Sequence, residues 1–226
     1  MIRVVLFDID GTLIHTGGAG VKAFARAFSE EFGLHDGSEN LKFAGRTDVS
    51  LVREFFNLHK IEPTPEHFER FFKVYLHWLE KMVDNCGGAV FQGVDNFFAQ
   101  MNLLPERPAV GLLTGNIKRG AQIKLSYFGI WDRFPFGGFA DDHEERDHIA
   151  AAARMRGEKH WGKRVRDEEV LVIGDTPLDV KCARAIGAKV LAVGTGSYTM
   201  GQLSDHRPDY VAEDLAAVDA AQILAD

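Results

Sequence analysis

Two aspartates one residue apart, Asp8 and Asp10, follow directly after an apolar run at positions 4–7. A short run rich in β-branched residues predicts a buried strand. In an open α/β sheet, ligands bind at the carboxyl ends of the strands, which is where these two carboxylates emerge. Because neighbouring carboxylates repel each other, they need a cation, a proton or a strong hydrogen-bond donor nearby. The alternative is an ordinary strand-to-turn junction, since Asp and Gly are common turn residues.

Further polar groups follow this pair and a second predicted strand. Gly11 lets the backbone turn sharply, and Thr12 adds a hydroxyl beside the carboxylates. Thr114, Gly115 and Asn116 follow an apolar run and precede a predicted helix. A hydroxyl, a flexible glycine and an amide at a helix amino terminus suit phosphate oxygens. The alternative is a simple helix N-cap at Thr114 or Asn116.

A third strand end carries Asp175 and, four residues later, Asp179. Both carboxylates can face one site from the first helical turn and hold a hard cation such as Mg²⁺, which prefers few carboxylates together with water and substrate phosphate. The alternative is capping, because Pro177 suits the first turn of a helix and acidic side chains suit its positive end. Capping explains each aspartate separately, but not why two strand ends carry matching carboxylates.

Arg146 is the one Lys or Arg in the charged segment 141–148. It lies near the start of a predicted helix, and its forked donors suit a phosphate group. The alternative is a solvated helix start. Together the strand-end residues supply a nucleophile, an acid/base group, a cradle for oxygens, a cation and metal ligands. Phosphoryl transfer needs these parts, because its catalysis consists mainly of positioning and charge neutralisation.

The elements that must position these residues alternate between strand and helix from about residue 109 onward. Such alternation implies right-handed β-α-β crossovers and a mostly parallel sheet with helices on both faces, a doubly wound α/β fold. We predict an α/β core from residues 1–14 plus 89–226, with a helical insert at 15–88 above the carboxylate pair. Helices are predicted at 17–33, 48–60, 65–84, 93–104, 117–128, 146–156, 178–186 and 214–224, and the later strands at 109–114, 138–140, 170–174, 190–193 and 208–211.

The composition is that of a soluble globular protein with ample material for a core, since 46% of the 226 residues are hydrophobic and 26% are charged. A net charge of −7 argues against nucleic acid or an anionic membrane surface as a partner, because either normally needs a basic field. No apolar stretch approaches the ~20 residues that span a bilayer, and we see no signal peptide. We expect a cytoplasmic protein without a disulfide framework, since Cys86 and Cys182 are the only cysteines.

These motifs resemble those of the haloacid dehalogenase superfamily of phosphotransferases. Residues 8–13 are similar to its first motif, 112–116 to its second and 174–179 to its fourth, in the family's order and on strand ends. The helical insert is in the place of the family's C1-type cap. The resemblance covers nearly the whole chain and is closest to the phosphoglycolate-phosphatase-like group of small-molecule phosphatases.

The resemblance implies a Mg²⁺-dependent phosphatase that hydrolyses a small phosphate monoester through an aspartyl-phosphate intermediate. Asp8 would attack phosphorus, and Asp10 would protonate the leaving alcohol and then activate water. Thr114 would bind an oxygen of the transferring phosphoryl group. The other residues implied around the phosphate are Gly11, Thr12, Gly115 and Asn116, and those implied around the metal are Asp8, Asp10 through its backbone carbonyl, Asp175 and Asp179.

The sequence departs from the family pattern at the third motif, where the family usually has a lysine. Arg146 is the best occupant, because it keeps the charge and adds a fork of donors. Lys159 and Lys163 are alternatives near the end of that predicted helix. In the insert, residues 45–48 resemble the family's substrate-specificity loop, in which Arg46 would meet a carboxylate or second phosphate of the substrate. The alternative is a capping segment with Arg46 in solvent.

Other functions need the same residues. A phosphomutase is the alternative among enzymes, and a weakly catalytic sensor of a phosphorylated ligand is the alternative of a different class. Dehalogenase chemistry is disfavoured, because it does not call for Asp10 as an acid or for a metal site. The expected partner is a small phosphorylated metabolite, with no nucleic acid or membrane, and the expected state is a monomer or homodimer. The sequence does not name the substrate.

Overall fold

Six parallel strands form the central sheet of the computed structural model, which describes residues 1–36 and 41–225. Residues 37–40, within the predicted insert, and residue 226, at the end of the predicted core, lie outside the described residues. The strands are β1 Val4–Phe7, β4 Ala109–Leu113, β5 Gly137–Gly138, β6 Val170–Gly174, β7 Lys189–Val193 and β8 Tyr210–Ala212. Their order in the sheet is β5-β4-β1-β6-β7-β8, and every neighbouring pair is parallel. The predicted α/β fold is confirmed.

Helices cover both faces of this sheet, and they are α4 Val94–Asn102, α5 Lys118–Tyr127, α6 Arg146–Trp161, α7 Pro177–Ala185, α8 Met200–Ser204 and α9 Ala220–Ala225. Val5 and Phe7 of β1 pack into one buried cluster with α4 and α5. Val4 and Leu6 pack into a second cluster with α6 and α7. Because alternate side chains of a strand point to opposite faces, a strand buried on both faces reads as a continuous apolar run. Within residues 1–36 and 41–225, no helix combines the length and apolar character that crossing a bilayer requires.

The predicted insert contains three further helices, α1 Ala19–Phe32, α2 Asp48–Leu58 and α3 Pro65–Asn85. Thr47 and Thr64 begin α2 and α3, since the hydroxyl of each accepts a bond from the backbone N–H three residues later. Gly33 ends α1 in the left-handed region. The apolar faces of these helices share one cluster rich in phenylalanine, which also contains Ile117 beside α5. This shared packing supports the division at 15–88, which stays a prediction.

Some predicted elements differ from the structure. A two-residue antiparallel pair, β2 Ile14–His15 with β3 Ala89–Val90, lies where the chain enters and leaves the insert, and it is too short to show a periodic pattern. The predicted helix at 214–224 is wrong in its first half. There Asp214 accepts bonds from the N–H groups of Ala216 and Ala217 and caps a single 3₁₀ turn, so α9 begins only at residue 220.

Candidate active site

The carboxyl ends of three adjacent strands bring Asp8, Thr114 and Asp175 together. They follow β1, β4 and β6, and β1 lies between the other two strands. All three side chains are buried. The backbone N–H of Asp8 donates to the carbonyl oxygen of Ile173 at 2.9 Å, which continues the sheet hydrogen bonding up to the site. Three strand ends that the sequence singled out therefore lie side by side.

Asp8, Asp175 and Asp179 form a buried acidic cluster, in which one oxygen of each carboxylate lies within 4.8 Å of the others. Asp179 is fixed by Thr176, whose backbone N–H and hydroxyl donate to Asp179 Oδ2 at 3.0 and 2.7 Å. The Thr176 hydroxyl also accepts a bond from the N–H of Asp179 at the start of α7. Asp179 is therefore a helix-capping residue and a member of the acidic cluster at the same time.

Burial raises the pKa of two carboxyl groups in the acidic cluster. The pKa of Asp175 rises from 3.8 to about 9, through burial first and then through the charges of Asp179 and Asp8. The pKa of Asp8 rises to about 7, again mainly through burial, although the guanidinium of Arg146 opposes the shift. Hard oxygen donors held this close suit a divalent cation such as Mg²⁺, whose charge stabilises ionised carboxylates.

Arg146 is the cation that contacts the acidic cluster, and its side chain is only 7% exposed. Nη2 donates to Asp8 Oδ1 at 2.9 Å and also to Asp179. Nη1 donates to the backbone carbonyl of Gly45 in the insert at 3.1 Å. Among the described residues, Nε of Arg146 is the one fully buried side-chain nitrogen or oxygen without a hydrogen-bond partner. A buried donor without a partner is unfavourable unless an acceptor is supplied, for example by a bound anion.

Among the described residues, the other predicted cations form no ion pair with the acidic cluster. Arg46 pairs with Glu54 of α2, although it lines the same cavity as Asp8 and Arg146. Lys159 and Lys163 are exposed, one in the last turn of α6 and the other beyond it. These positions favour Arg146 as the third-motif cation. The specificity role of Arg46 stays a prediction.

Asp10 contacts a second buried cation, Lys124, which the sequence analysis missed. Lys124 Nζ donates to Asp10 Oδ2 at 2.7 Å and to Asn116 Oδ1 at 2.6 Å. Asn116 Nδ2 donates to the same Asp10 oxygen at 2.8 Å and to the hydroxyl of Thr114 at 2.9 Å. The capping alternative for Thr114 and Asn116 is wrong, because Ile117 is the N-cap residue of α5, and the side chains that accept bonds from its N–H and from that of Lys118 are those of Asp48 and Asp141.

Glycines allow the first and second motifs to approach their neighbours. Gly11 has a φ of +88°, and a Cβ there would lie 2.3 Å from Asp175 Oδ2. Thr12 Oγ1 donates to Asp175 Oδ1 at 3.0 Å, so the first motif packs directly on the fourth. A Cβ at Gly115 would lie 2.1 Å from the backbone oxygen of Arg46 in the insert. Both positions therefore exclude side chains on steric grounds.

The insert contacts the rim of the site through polar groups. Thr47 Oγ1 donates to the backbone oxygen of Glu144 at 2.8 Å, and Arg53 Nε donates to the Glu144 carboxylate at 2.7 Å. The backbone N–H of Ile117 donates to Asp48 Oδ2 at 2.8 Å. Between the insert and the strand ends lies a cavity of about 250 Å³, with charged groups from the core and both apolar and charged groups from the insert, the latter being Arg46 and Asp48. Its lining includes Asp8, Asp10, Lys124, Arg146 and Asp175 from the core and Val21, Phe24, Leu51 and Tyr75 from the insert.

Asp48 is expected to make the stability of the fold depend on pH. Burial raises its pKa from 3.8 to about 6, and the charge of Lys124 opposes the shift only in part. An acid with a higher pKa in the folded than in the unfolded protein destabilises the fold as pH rises between the two values. We expect Asp48→Asn to raise the free energy of unfolding at about pH 7.5 by on the order of 1–3 kcal/mol, with no gain at about pH 4.

Urea unfolding of both proteins across this pH range measures the effect. Asp142→Asn is the matched control of opposite sign. Hydrogen bonding from Arg156 lowers the pKa of Asp142. This variant should therefore be less stable than wild type at neutral pH, and the difference between the two proteins should disappear in acid. A difference between Asp48→Asn and wild type that does not change with pH would contradict the expectation.

Comparison with protein families places this site in a known group. The model of the haloacid dehalogenase-like hydrolases matches residues 5–193, which include the strand ends that carry Asp8, Thr114 and Asp175. The chain belongs to the haloacid dehalogenase-like hydrolase family. This membership confirms the resemblance noted from the motifs, and with it the predicted enzyme class of hydrolase.

Relatives of this haloacid dehalogenase-like hydrolase match over nearly the whole chain. A protein of Clostridium perfringens with the provisional name pyrophosphatase PpaX is 26% identical over 230 residues, which cover 99% of each chain. CbbY from Rhodobacter sphaeroides, in a crystal structure with phosphate, has a TM-score of 0.78 at 18% identity and 100% coverage of both chains. A hydrolase from Pseudomonas syringae has a TM-score of 0.71 at 20% identity, covering 96% of this chain and 95% of its own. Both structures share the fold.

Proposed function

We propose that this hydrolase is a Mg²⁺-dependent phosphatase that hydrolyses a small phosphate monoester through an aspartyl-phosphate on Asp8. The observation that carries the proposal is the arrangement around Asp8. Two further buried carboxylates and Arg146 surround it, and the Arg146 Nε has no partner in the described residues. A carboxylate is a workable covalent nucleophile toward phosphorus. The provisional name of the Clostridium perfringens relative supports chemistry at phosphate.

The proposed Mg²⁺ would be held by Asp8, Asp175 and Asp179, together with the backbone carbonyl of Asp10. This assignment fits the donor set, which consists of hard oxygens that are buried and close together. When bound, Mg²⁺ offsets the repulsion between the carboxylate nucleophile and the substrate phosphate. Side chains of the protein carry out the attack on phosphorus and the proton transfers.

In the first proposed step, an oxygen of Asp8 forms a bond to phosphorus while the bond from phosphorus to the leaving oxygen breaks. Asp10 gives its proton to that leaving oxygen. In the second step, water attacks the phosphorus of the aspartyl-phosphate, Asp10 takes a proton from the water, and the Asp8 carboxylate is released. Arg146 Nε and the Thr114 hydroxyl donate to phosphoryl oxygens in both steps, which stabilises the charge of the transition state.

The volume of the cavity supports a small metabolite as the substrate. With residues 1–14 plus 89–226 as the core and 15–88 as the cap, the phosphoryl group would lie on the core and the leaving group would lie in the cavity of about 250 Å³ under the cap. The apolar wall formed by Val21, Phe24 and Leu51 suits the carbon skeleton of a leaving alcohol.

Removal of divalent metal should abolish phosphate release from an aryl phosphate such as 4-nitrophenyl phosphate. The acidic cluster would then lack the charge that lets a phosphate dianion approach Asp8. Free phosphate is measured after chelation and again after Mg²⁺ is added back, which should restore the activity. Thermal unfolding of the same samples provides the control, because Mg²⁺ that binds the folded state raises the melting temperature.

Full activity in excess chelator would contradict the metal assignment. Conversion of a phosphorylated metabolite into an isomer without free phosphate would support the phosphomutase alternative instead. Metal-dependent stabilisation without turnover of any phosphate ester would support the sensor alternative.

A further inference from the structure

Lys124 carries a buried charge that the proposed chemistry does not use. Its side chain is 5% exposed, and it lies on α5 at the floor of the cavity. Burial of an ammonium group is unfavourable unless its donors are satisfied. Among the described residues, its hydrogen-bond partners are Asp10 Oδ2 and Asn116 Oδ1. A charge that is maintained in this way beside the proposed acid/base group requires an explanation.

The two hydrogen bonds that the Asp10 carboxylate accepts in this cluster go to the same oxygen. Lys124 Nζ and Asn116 Nδ2 both donate to Oδ2, at 2.7 and 2.8 Å. Lys124 also bonds to the amide oxygen of Asn116, so the three side chains form a closed ring of contacts. Two donors on one oxygen fix the rotation of a carboxylate and leave its other oxygen for the substrate.

The insert covers Lys124. A Cβ at Gly20, in the first turn of α1, would lie 3.5 Å from the ammonium nitrogen. The charge of Asp48, at the start of α2, also interacts with Lys124. Lys124 is therefore covered by two insert helices, whereas the Asp10 side chain is 40% exposed toward the cavity side of the ring. The ring of contacts belongs to the arrangement in which the insert is packed on α5.

We propose that Lys124 is the positioning residue of Asp10. It holds Oδ2 together with Asn116, so that Oδ1 of Asp10 faces the oxygen of the leaving group. In this role Lys124 acts on the proton transfer through Asp10. The role rests on the proposed function, because it assigns to Asp10 the proton transfer of a phosphatase.

The dependence of rate on the leaving group tests this role. A general acid contributes strongly when the leaving oxygen is basic, as in an alkyl phosphate, and little when it is the weakly basic 4-nitrophenolate. We expect Lys124→Met to lower kcat/KM for ethyl phosphate by about 100-fold, the scale of general acid catalysis, and that for 4-nitrophenyl phosphate by less than about threefold. The ratio kcat/KM reports steps only up to formation of the aspartyl-phosphate, so the second step does not enter the comparison.

Two variants calibrate the measurement. Asp10→Asn should show the same selective loss as Lys124→Met, because both remove a positioned acid. Lys118→Met makes the same substitution at an exposed lysine of the same helix and should leave both substrates unaffected. Equal losses on the two substrates in Lys124→Met, or no loss on either, would overturn the positioning role while leaving the phosphatase itself intact.

Failure of wild type to hydrolyse either ester would count against the proposed function. In that case, crystal structures of wild type and Lys124→Met still test the positioning role by itself. The positioning role predicts that the Asp10 carboxylate rotates away from Asn116 in the variant. An Asp10 carboxylate that keeps its rotation and its bond to Asn116 without Lys124 would overturn the positioning role, whatever the activity.

Discussion

Asp8→Asn is expected to lower phosphate release by a factor on the order of 10⁴ or more, the scale of loss when a covalent nucleophile is removed. The amide has neither the charge nor the nucleophilic oxygen needed to attack phosphorus. The fold should survive, because burial already raises the pKa of Asp8 to about 7 and a neutral side chain of the same shape suits this position. The amide oxygen can still accept the bond from Arg146. Phosphate release with Mg²⁺ and thermal unfolding, measured on one preparation, check both expectations.

Asp95→Asn is the matched control for this variant. Asp95 lies at the surface of α4, where it pairs with Arg133 and its side chain is 74% exposed. The same substitution there should leave the activity at the wild-type value. Turnover by Asp8→Asn within about tenfold of wild type would rule out Asp8 as the nucleophile, since only a minor part of the catalytic free energy would then depend on it.

Arg146→Ala is expected to lower kcat/KM roughly 30- to 1,000-fold, which corresponds to a loss of about 2–4 kcal/mol of transition-state stabilisation. The substitution removes the unpartnered Nε donor, which we assign to a phosphoryl oxygen, and the Nη2 bonds to Asp8 and Asp179. It also leaves two buried carboxylates without their cation, which destabilises the fold. Unfolding should therefore be measured with and without Mg²⁺, and the metal should recover part of the lost stability.

Two further variants isolate the geometry of Arg146 from its charge. Arg146→Lys keeps the charge but loses the fork of donors, so its activity should lie between those of wild type and Arg146→Ala. Arg156→Ala removes another arginine of α6, which pairs with Asp142 away from the acidic cluster. The activity of this variant should remain near that of wild type. Near-normal activity of Arg146→Ala would move the third-motif role to another cation.

Local patterns in the sequence predicted much of the fold and the placement of several site residues. Buried strands such as β1 and β6 are continuous apolar runs, and an aspartate follows each of them, so the strand ends that meet in the sheet could be identified from the sequence. Arg146 was identifiable because it is the single Lys or Arg in an acidic segment at a helix start. The short pair of strands β2 and β3 could not be predicted, because two residues carry no periodicity.

Lys124 shows why the rest of the site could not be read from the sequence. It lies 114 residues from Asp10, and only the fold brings the two side chains together. A pattern on α5 could have indicated it, since Lys124 lies on the same buried face as Ala121 and Leu125, where a lysine is unusual. Asp48 is similar, because its buried contact with Ile117 depends on how the insert packs on α5.

Detection of a phosphoryl group on Asp8 is the most direct test of the aspartyl-phosphate. Wild-type protein is quenched in acid during turnover of 4-nitrophenyl phosphate, digested and analysed by mass spectrometry. We expect the mass increase of one phosphoryl group on the peptide that contains Asp8, and no increase in Asp8→Asn. A full single turnover of phosphate release with unmodified Asp8 at every quench time, or a phosphoryl group on a different residue, would contradict the proposed mechanism.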